Sequence, residues 1–258
     1  MKNKKTALAP IVWLIILALC WEVVGRLFPN NYFLPPFSSV VSVLVKEITQ
    51  GSLLLQCGYS FILAIIGVIV SCIAAIIVFS LCVVNKYIAS LTKTLCGILN
   101  PLPSVAIIPL AMFILGLGDS VLVLLICHSV VWPLLKNMLA GYSAINPIFL
   151  EFFANANFKK TVYLYHVIIP SVLKDLLMGM KIAWGRAFRT LIAVEMIFGT
   201  TGALGGLGYY IYIARANAES EKLYAGIILI SLLGIIVENF LFCFLERNTI
   251  NKWGIYRT

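Results

Sequence analysis

Charge is scarce in this sequence, and acidic charge is scarcest. Of 258 residues only 10 are Asp or Glu, against 19 Lys or Arg, and there are just two histidines. That set does not supply the clustered carboxylates and imidazoles from which most catalytic and metal sites are built. No HExxH or GxSxG occurs, and no Gly-Lys pair occurs anywhere, so the phosphate-gripping loop of a nucleotide hydrolase is missing. No catalytic or metal-ligating residue is assigned, and the chain is not expected to be an enzyme. The seven cysteines (Cys20, Cys57, Cys72, Cys82, Cys96, Cys127, Cys243) lie singly in apolar segments, with no CxxC spacing. They read as small packing residues, not as a disulfide framework.

What the sequence has in excess is apolar surface. The hydrophobic fraction is 62% and the mean hydropathy +1.03, more than a soluble domain of this length can hide, so the solvent for most of the chain is lipid. Six runs, at 9–27, 57–84, 94–115, 120–139, 172–198 and 223–245, are each near the roughly 20 residues needed to cross a bilayer. An all-α membrane protein with six transmembrane helices is therefore expected, a single transmembrane domain over 1–258 with no separate soluble part. The start, Met1-Lys-Asn-Lys-Lys ahead of a long apolar run without a small-residue cleavage site, reads as an uncleaved first helix. With the N-terminus inside, Lys86, Lys93, Lys136, Lys159, Lys160, Lys174 and Lys181 fall on the cytoplasmic side. Only Arg26, Lys46, Arg215 and Lys222 fall outside. Cytoplasmic loops carry the excess of Lys and Arg, so both termini are expected in the cytoplasm. The net charge of +9 then reflects orientation in the membrane, not a nucleic-acid surface.

Several segments carry more than hydropathy. After the first run, Leu34-Pro35-Pro36 breaks the chain, Ser38 or Ser39 is placed to cap the next helix, and 40–48 reads as a short amphipathic helix outside the membrane. The third run holds Pro101, Pro103 and Pro109, which free backbone groups that lipid cannot satisfy. Either the helix is kinked for packing or it is broken where it lines a watery path. Arg186 and Arg189 share one face of the fifth run, with Glu195 beyond. Arginines at this depth cost about 2.5–3.5 kcal/mol on insertion scales and face a bundle interior or water. They either pair structurally, with Glu195, Glu238 or helix-end carbonyls, or form a positive stretch of a translocation path. His128, near Trp132-Pro133, is open to the same two readings. The glycine-rich run from Gly199 follows a membrane helix and reads as an external loop, with Tyr209, Tyr210 and Tyr212 suited to an interfacial aromatic belt.

Between the fourth and fifth runs lies a polar island, Asn146 to Pro170, reading NPIFLEFFANANFKKTVYLYHVIIP. Asn146-Pro147 opens it as a helix cap followed by proline. Glu151 stands nineteen positions before Pro170, Asn157 six after the Glu, and Val167 and Ile169 just ahead of the Pro. This spacing resembles the E-A-A-x3-G-x9-I-x-L-P loop of ABC-importer permeases. Asn157 stands for the family glycine, a residue that also tolerates a left-handed turn. Phe152 and Phe153 replace two alanines, and these rings either pack on the chain's own loops or anchor a partner. Other segments are similar to the nitrate/sulfonate/taurine group of these permeases. They are Leu34-Pro35-Pro36; Pro101-x-Pro103-x2-Ala106-x2-Pro109 with Gly116-Leu-Gly118; Ala183-Trp184-x-Arg186 with Glu195-Met196; Gly206-Leu-Gly208; and Leu245-Glu-Arg with Trp253.

The resemblance covers nearly the whole chain. It implies the type I ABC-importer permease bundle in a bacterial cytoplasmic membrane, with a cytoplasmic coupling loop at about 141–170. It also implies ATPase coupling through Glu151, Phe152, Phe153, Asn157 and Pro170. The translocation path is expected to draw on Pro101, Pro103, His128, Trp132, Arg186, Arg189 and Glu195. The implied partners are ABC ATPase subunits that use ATP and Mg, a second permease subunit (expected to be a copy of this chain), and an extracytoplasmic substrate-binding protein. The chain itself binds no cofactor and no nucleic acid. A small solute is the expected cargo, either an anion such as a sulfonate or nitrate, or a small vitamin or its precursor. The competing reading is a secondary transporter or channel that works without ATP, although no inverted repeat is evident.

Overall fold

In the computed structural model the described residues are 4–28, 33–146, 148, 168–199 and 205–237. All regular structure among them is helical. The helices are α1 (Lys4–Leu27), α2 (Phe37–Thr49), α3 (Leu53–Val84), α4 (Lys86–Leu99), α5 (Ile108–Leu115), α6 (Asp119–Ser143), α7 (Ile169–Phe198), α8 (Leu207–Ala216) and α9 (Ser220–Ile236). A 3-10 turn at Ser104–Ile107 precedes α5.

The core is built around α6, which packs on α3 along one side and on α7 along the other. Val121, Leu122, Leu125, Ile126, Val130, Leu134, Leu135 and Met138 are all sealed from solvent, at the three- and four-residue spacing of helix faces. Lipid tails are as apolar as leucine, so helices associate in a membrane through close packing instead of through the hydrophobic effect. The buried face of α3 is made for this, with Ser60, Ala64, Gly67, Ser71 and Ala75 in one stripe. A Cβ at Gly67 would run into the side chain of Ile126. The opposite face of α3 exposes Ile62, Ile66, Ile69, Ile73 and Ile77, a lipid-facing row that no soluble protein would leave open.

By length and composition α3 and α6 each qualify alone as a membrane span, and α4 with the segment to Leu115 makes a third if counted as one crossing. Two of the other expected spans, α7 and α9, fall outside that criterion for visible reasons. Lys174, Asp175, Lys181, Arg186, Arg189 and Glu195 lower the hydropathy of α7, and α9 runs for only 17 described residues. The third expected span is not a single helix over 94–115. It bends by 96° between Leu99 and Ser104. Pro101 and Pro103 fall in the link, where a missing N–H and a fixed φ stop the helix. Pro109 sits in the first turn of α5, where no donor is needed.

The start of α2 also differs from expectation. Its N-cap is Pro36, and neither Ser38 nor Ser39 caps it. The Ser38 N–H and hydroxyl instead donate to the Glu22 carboxylate of α1, at 2.8 and 2.9 Å, so the orphan donors are met from a neighbouring helix. Trp21 Nε1 donates to the Pro35 carbonyl at 3.0 Å. A Cβ at Gly25 would strike the Pro36 backbone, so α1 and the Pro35-Pro36 corner meet with no side chain between them.

Candidate functional site: a cavity at the broken helix

The break between α4 and α5 opens onto a cavity of about 380 Å³. Asn100, Pro101, Pro103 and Ser104 line it from the link, His128 and Ser129 from α6, and Arg186, Arg189 and Thr190 from α7. Residues as far apart in sequence as Asn100 and Arg186, 86 positions, thus converge because the chain breaks where it does. At 1.5 Å per residue, Arg186 lies about 25 Å along α7 from its first turn, well inside the bundle's depth.

Arg186 Nη1 donates to Asn100 Oδ1 at 2.9 Å, so the guanidinium is held against the link and retains further donors. Arg189 Nε turns back to the Gly185 carbonyl at 2.7 Å. Among the described residues the ion pairs are Glu22 with Arg26 and Lys222 with Glu47 and Glu219. Neither cavity arginine belongs to one. Ser104 Oγ lies 3.4 Å from His128 Nδ1. Buried His128 Nε2 and Trp132 Nε1 take no hydrogen bond among the described residues. The two rings meet edge to face at 6.3 Å. Arg189 also borders a second cavity of about 500 Å³ between α7 and α9, lined by Lys181, Trp184, Phe188 and Ile230.

Of the seven residues expected along a path, Pro101, Pro103, His128, Arg186 and Arg189 line this cavity, and Trp132 touches it through His128. Glu195 stands apart. It is buried at 1% exposure and bonded to Ser60 and Gly208, so it pairs with neither arginine. Sequence reasoning missed Asn100 and Ser104. The signal was present, since both flank the prolines, but a polar residue beside a helix break has many uses and only the fold aims it. Glu151, Phe152, Phe153 and Asn157 lie outside the described residues, as does Glu238. Pro170 falls in the first turn of α7.

The sequence profile of binding-protein-dependent transport system inner membrane components matches residues 67–250, the stretch that contains the cavity and the expected coupling loop. The chain belongs to that family. It is an integral membrane permease related to the subunits of ABC importers. The taurine transport system permease protein TauC of Escherichia coli is 25% identical over 87% of this chain and 82% of its own length. The formylaminopyrimidine transport permease protein ThiX of Halalkalibacterium halodurans is 26% identical over 92% of both. The nitrate import permease protein NrtB of Synechococcus elongatus is 22% identical over 91% of this chain and 87% of its own. This permease therefore aligns with relatives along most of its length, while the cargoes in their names differ in size and charge.

Proposed function

We propose that this permease is the membrane half of an ATP-driven importer for a small anion, with the cavity at the α4–α5 break as part of its path. The observation that carries the anion is the pair of guanidinium groups on that cavity, with no carboxylate among its described lining residues. A sulfonate or nitrate oxygen would meet charge-assisted donors there. A small vitamin precursor, as in the name of the formylaminopyrimidine permease, is the second reading and would rely on Asn100, Ser104 and His128 in place of charge.

The coupling rests on an absence from the sequence. With no phosphate-gripping loop of its own, the chain draws on a separate ATPase that binds ATP and Mg. Two permease subunits, here two copies of this chain, enclose the path, and an extracytoplasmic binding protein delivers the cargo. All six membrane crossings belong to this reading, with both termini in the cytoplasm. ATP closes the ATPase pair, which pulls on the loop at about 141–170 and rocks the bundles between inward- and outward-facing states. Glu151→Arg or Phe152→Asp is expected to leave insertion intact but to separate ATP hydrolysis from uptake, and normal uptake by either variant would remove the coupling role of the loop. The first test is purification of the chain from its native membrane in mild detergent, with mass spectrometry of the proteins that accompany it. A stoichiometric ATPase supports the importer. A solitary chain whose uptake depends on an ion gradient replaces it with a secondary transporter.

A further inference from the structure

Glu195 is the one charged side chain fully buried among the described residues, at 1% exposure. It does not touch the cavity. Its carboxylate accepts the Ser60 hydroxyl at 3.0 and 3.2 Å and the Gly208 N–H at 2.8 Å. Ser60 Oγ in turn accepts the Leu207 N–H at 2.8 Å. Removing a carboxylate from water costs several kcal/mol unless donors replace the lost hydration. Here the donors come from two other helices, the hydroxyl from α3 and the Gly208 N–H from the first turn of α8. The first turn of α8 is also where a helix dipole favours negative charge.

Glycine makes the contact possible. A Cβ at Gly206 would collide with the Glu195 carboxylate and Ser60 Oγ, and one at Gly208 with the Ile192 carbonyl and Glu195 Cβ. The middle of α8 packs closely on α9, and α9 is tied to α2. A Cβ at Gly226 of α9 would press on Ile211 of α8, and Lys222 of α9 reaches Glu219 at 3.0 Å and Glu47 of α2 at 3.7 Å. On the inner side, Glu195 and Arg186 stand nine residues apart on the same helix, about 13 Å.

We propose that Glu195 is a positioning residue: with Ser60 and the Gly206–Gly208 turn it clamps α8 to α7, so the two move as one lever between the α2–α9 surface and the cavity arginines. The lever's role in transport rests on the importer reading above, whereas the clamp does not. Spin labels placed at Met178 of α7 and Arg215 of α8, both exposed, in a chain with its cysteines replaced, read the clamp on the purified permease alone. The expected result is one narrow distance for the wild-type background and for Glu195→Gln, which keeps an acceptor for Gly208. Glu195→Ala is expected to broaden it and add a second distance. Ser60→Ala, which leaves the Gly208 bond in place, is expected to broaden it less and serves if Glu195→Ala does not fold. An unchanged distribution in the Ala variants overturns the clamp, and so does a broadened one in Glu195→Gln. In the complex with its ATPase, the wild-type distance is expected to be the same without nucleotide and with ATP and vanadate; a shift between them overturns the lever. If no ATPase assembles, the importer reading fails, and the clamp is still decided by the first measurement.

Discussion

Arg186 is held by one bond to Asn100, 2.9 Å long, with the rest of its guanidinium facing the cavity. Arg186→Ala removes both the charge and the partner that fixes Asn100. A hydrogen bond to a charged group is worth roughly 1.5–3 kcal/mol, so uptake of an anionic cargo is expected to fall by about tenfold or more. Arg186→Lys keeps the charge but loses the planar fork and is expected to fall between the two. Uptake of the ligand found on the co-purifying binding protein measures this, and equal uptake by all three would take Arg186 off the path. Gly67 tests packing instead of chemistry. Gly67→Leu forces a side chain into Ile126 and is expected to destabilise the α3–α6 contact by about 1–3 kcal/mol, read as a lowered thermal unfolding midpoint in detergent. At this scale the sequence exposes the arginines and the histidine, because polar groups in an apolar run stand out. It leaves open what each one bonds to. Glu195 and Arg186 share a helix and opposite charge, yet Glu195 turns to Ser60 and Gly208 while Arg186 turns to Asn100. Partners on other helices, up to 147 positions away in the case of Leu207 and Ser60, cannot be read from local spacing.

Among the elements, the broken α4–α5 segment does most to shape the site. The prolines are legible in the sequence, and so is the conflict between them and a straight helix. The 96° bend is not, since a proline in a membrane helix can end in a modest kink when neighbours satisfy the freed carbonyl. Pro133 in α6 shows that outcome, remaining inside one helix of 25 residues. Replacing Pro101 and Pro103 together by alanine lets the helix run on across the link. The protein is expected to insert at normal yield and to lose uptake, because Asn100 and Ser104 rotate away from Arg186 and His128. Full uptake by the double variant would show the break to be incidental. Tyr210 is a second case where the element decides. Its sequence neighbourhood groups it with Tyr209 and Tyr212 as an interfacial belt, but α8 turns it inward to 7% exposure while the other two stack at 6.3 Å. Three tyrosines within four positions cannot all lie on one face of a helix.

For the whole molecule, the helices alternate direction so that the start of α3, the start of α6, the end of α7 and α8 meet at one end of the bundle. Tyr59 donates to Asp119 there, beside the Ser60–Glu195 pair. Lys86, Lys93 and Lys136 lie toward the opposite end, which the charge count expects in the cytoplasm. Topology is the property to measure at this scale. Single cysteines introduced next to each terminus of a cysteine-free chain are expected to react with a membrane-impermeant maleimide only after the cells are opened. Labelling of either terminus in intact cells would reverse or break the predicted orientation.

The sequence alone determined that this chain belongs in lipid and which family it joins. Those properties rest on hydropathy summed over about 20 residues and on motif spacing, both of which are local along the chain. The tertiary structure decided which polar groups face each other. It set Arg186 and Arg189 on a cavity with His128, bound Arg186 to Asn100, and withdrew Glu195 into a clamp on α8. The physical reason is that a buried polar group in a membrane must find its partner somewhere in the bundle, and only the crossing of helices determines which of several distant candidates is near enough.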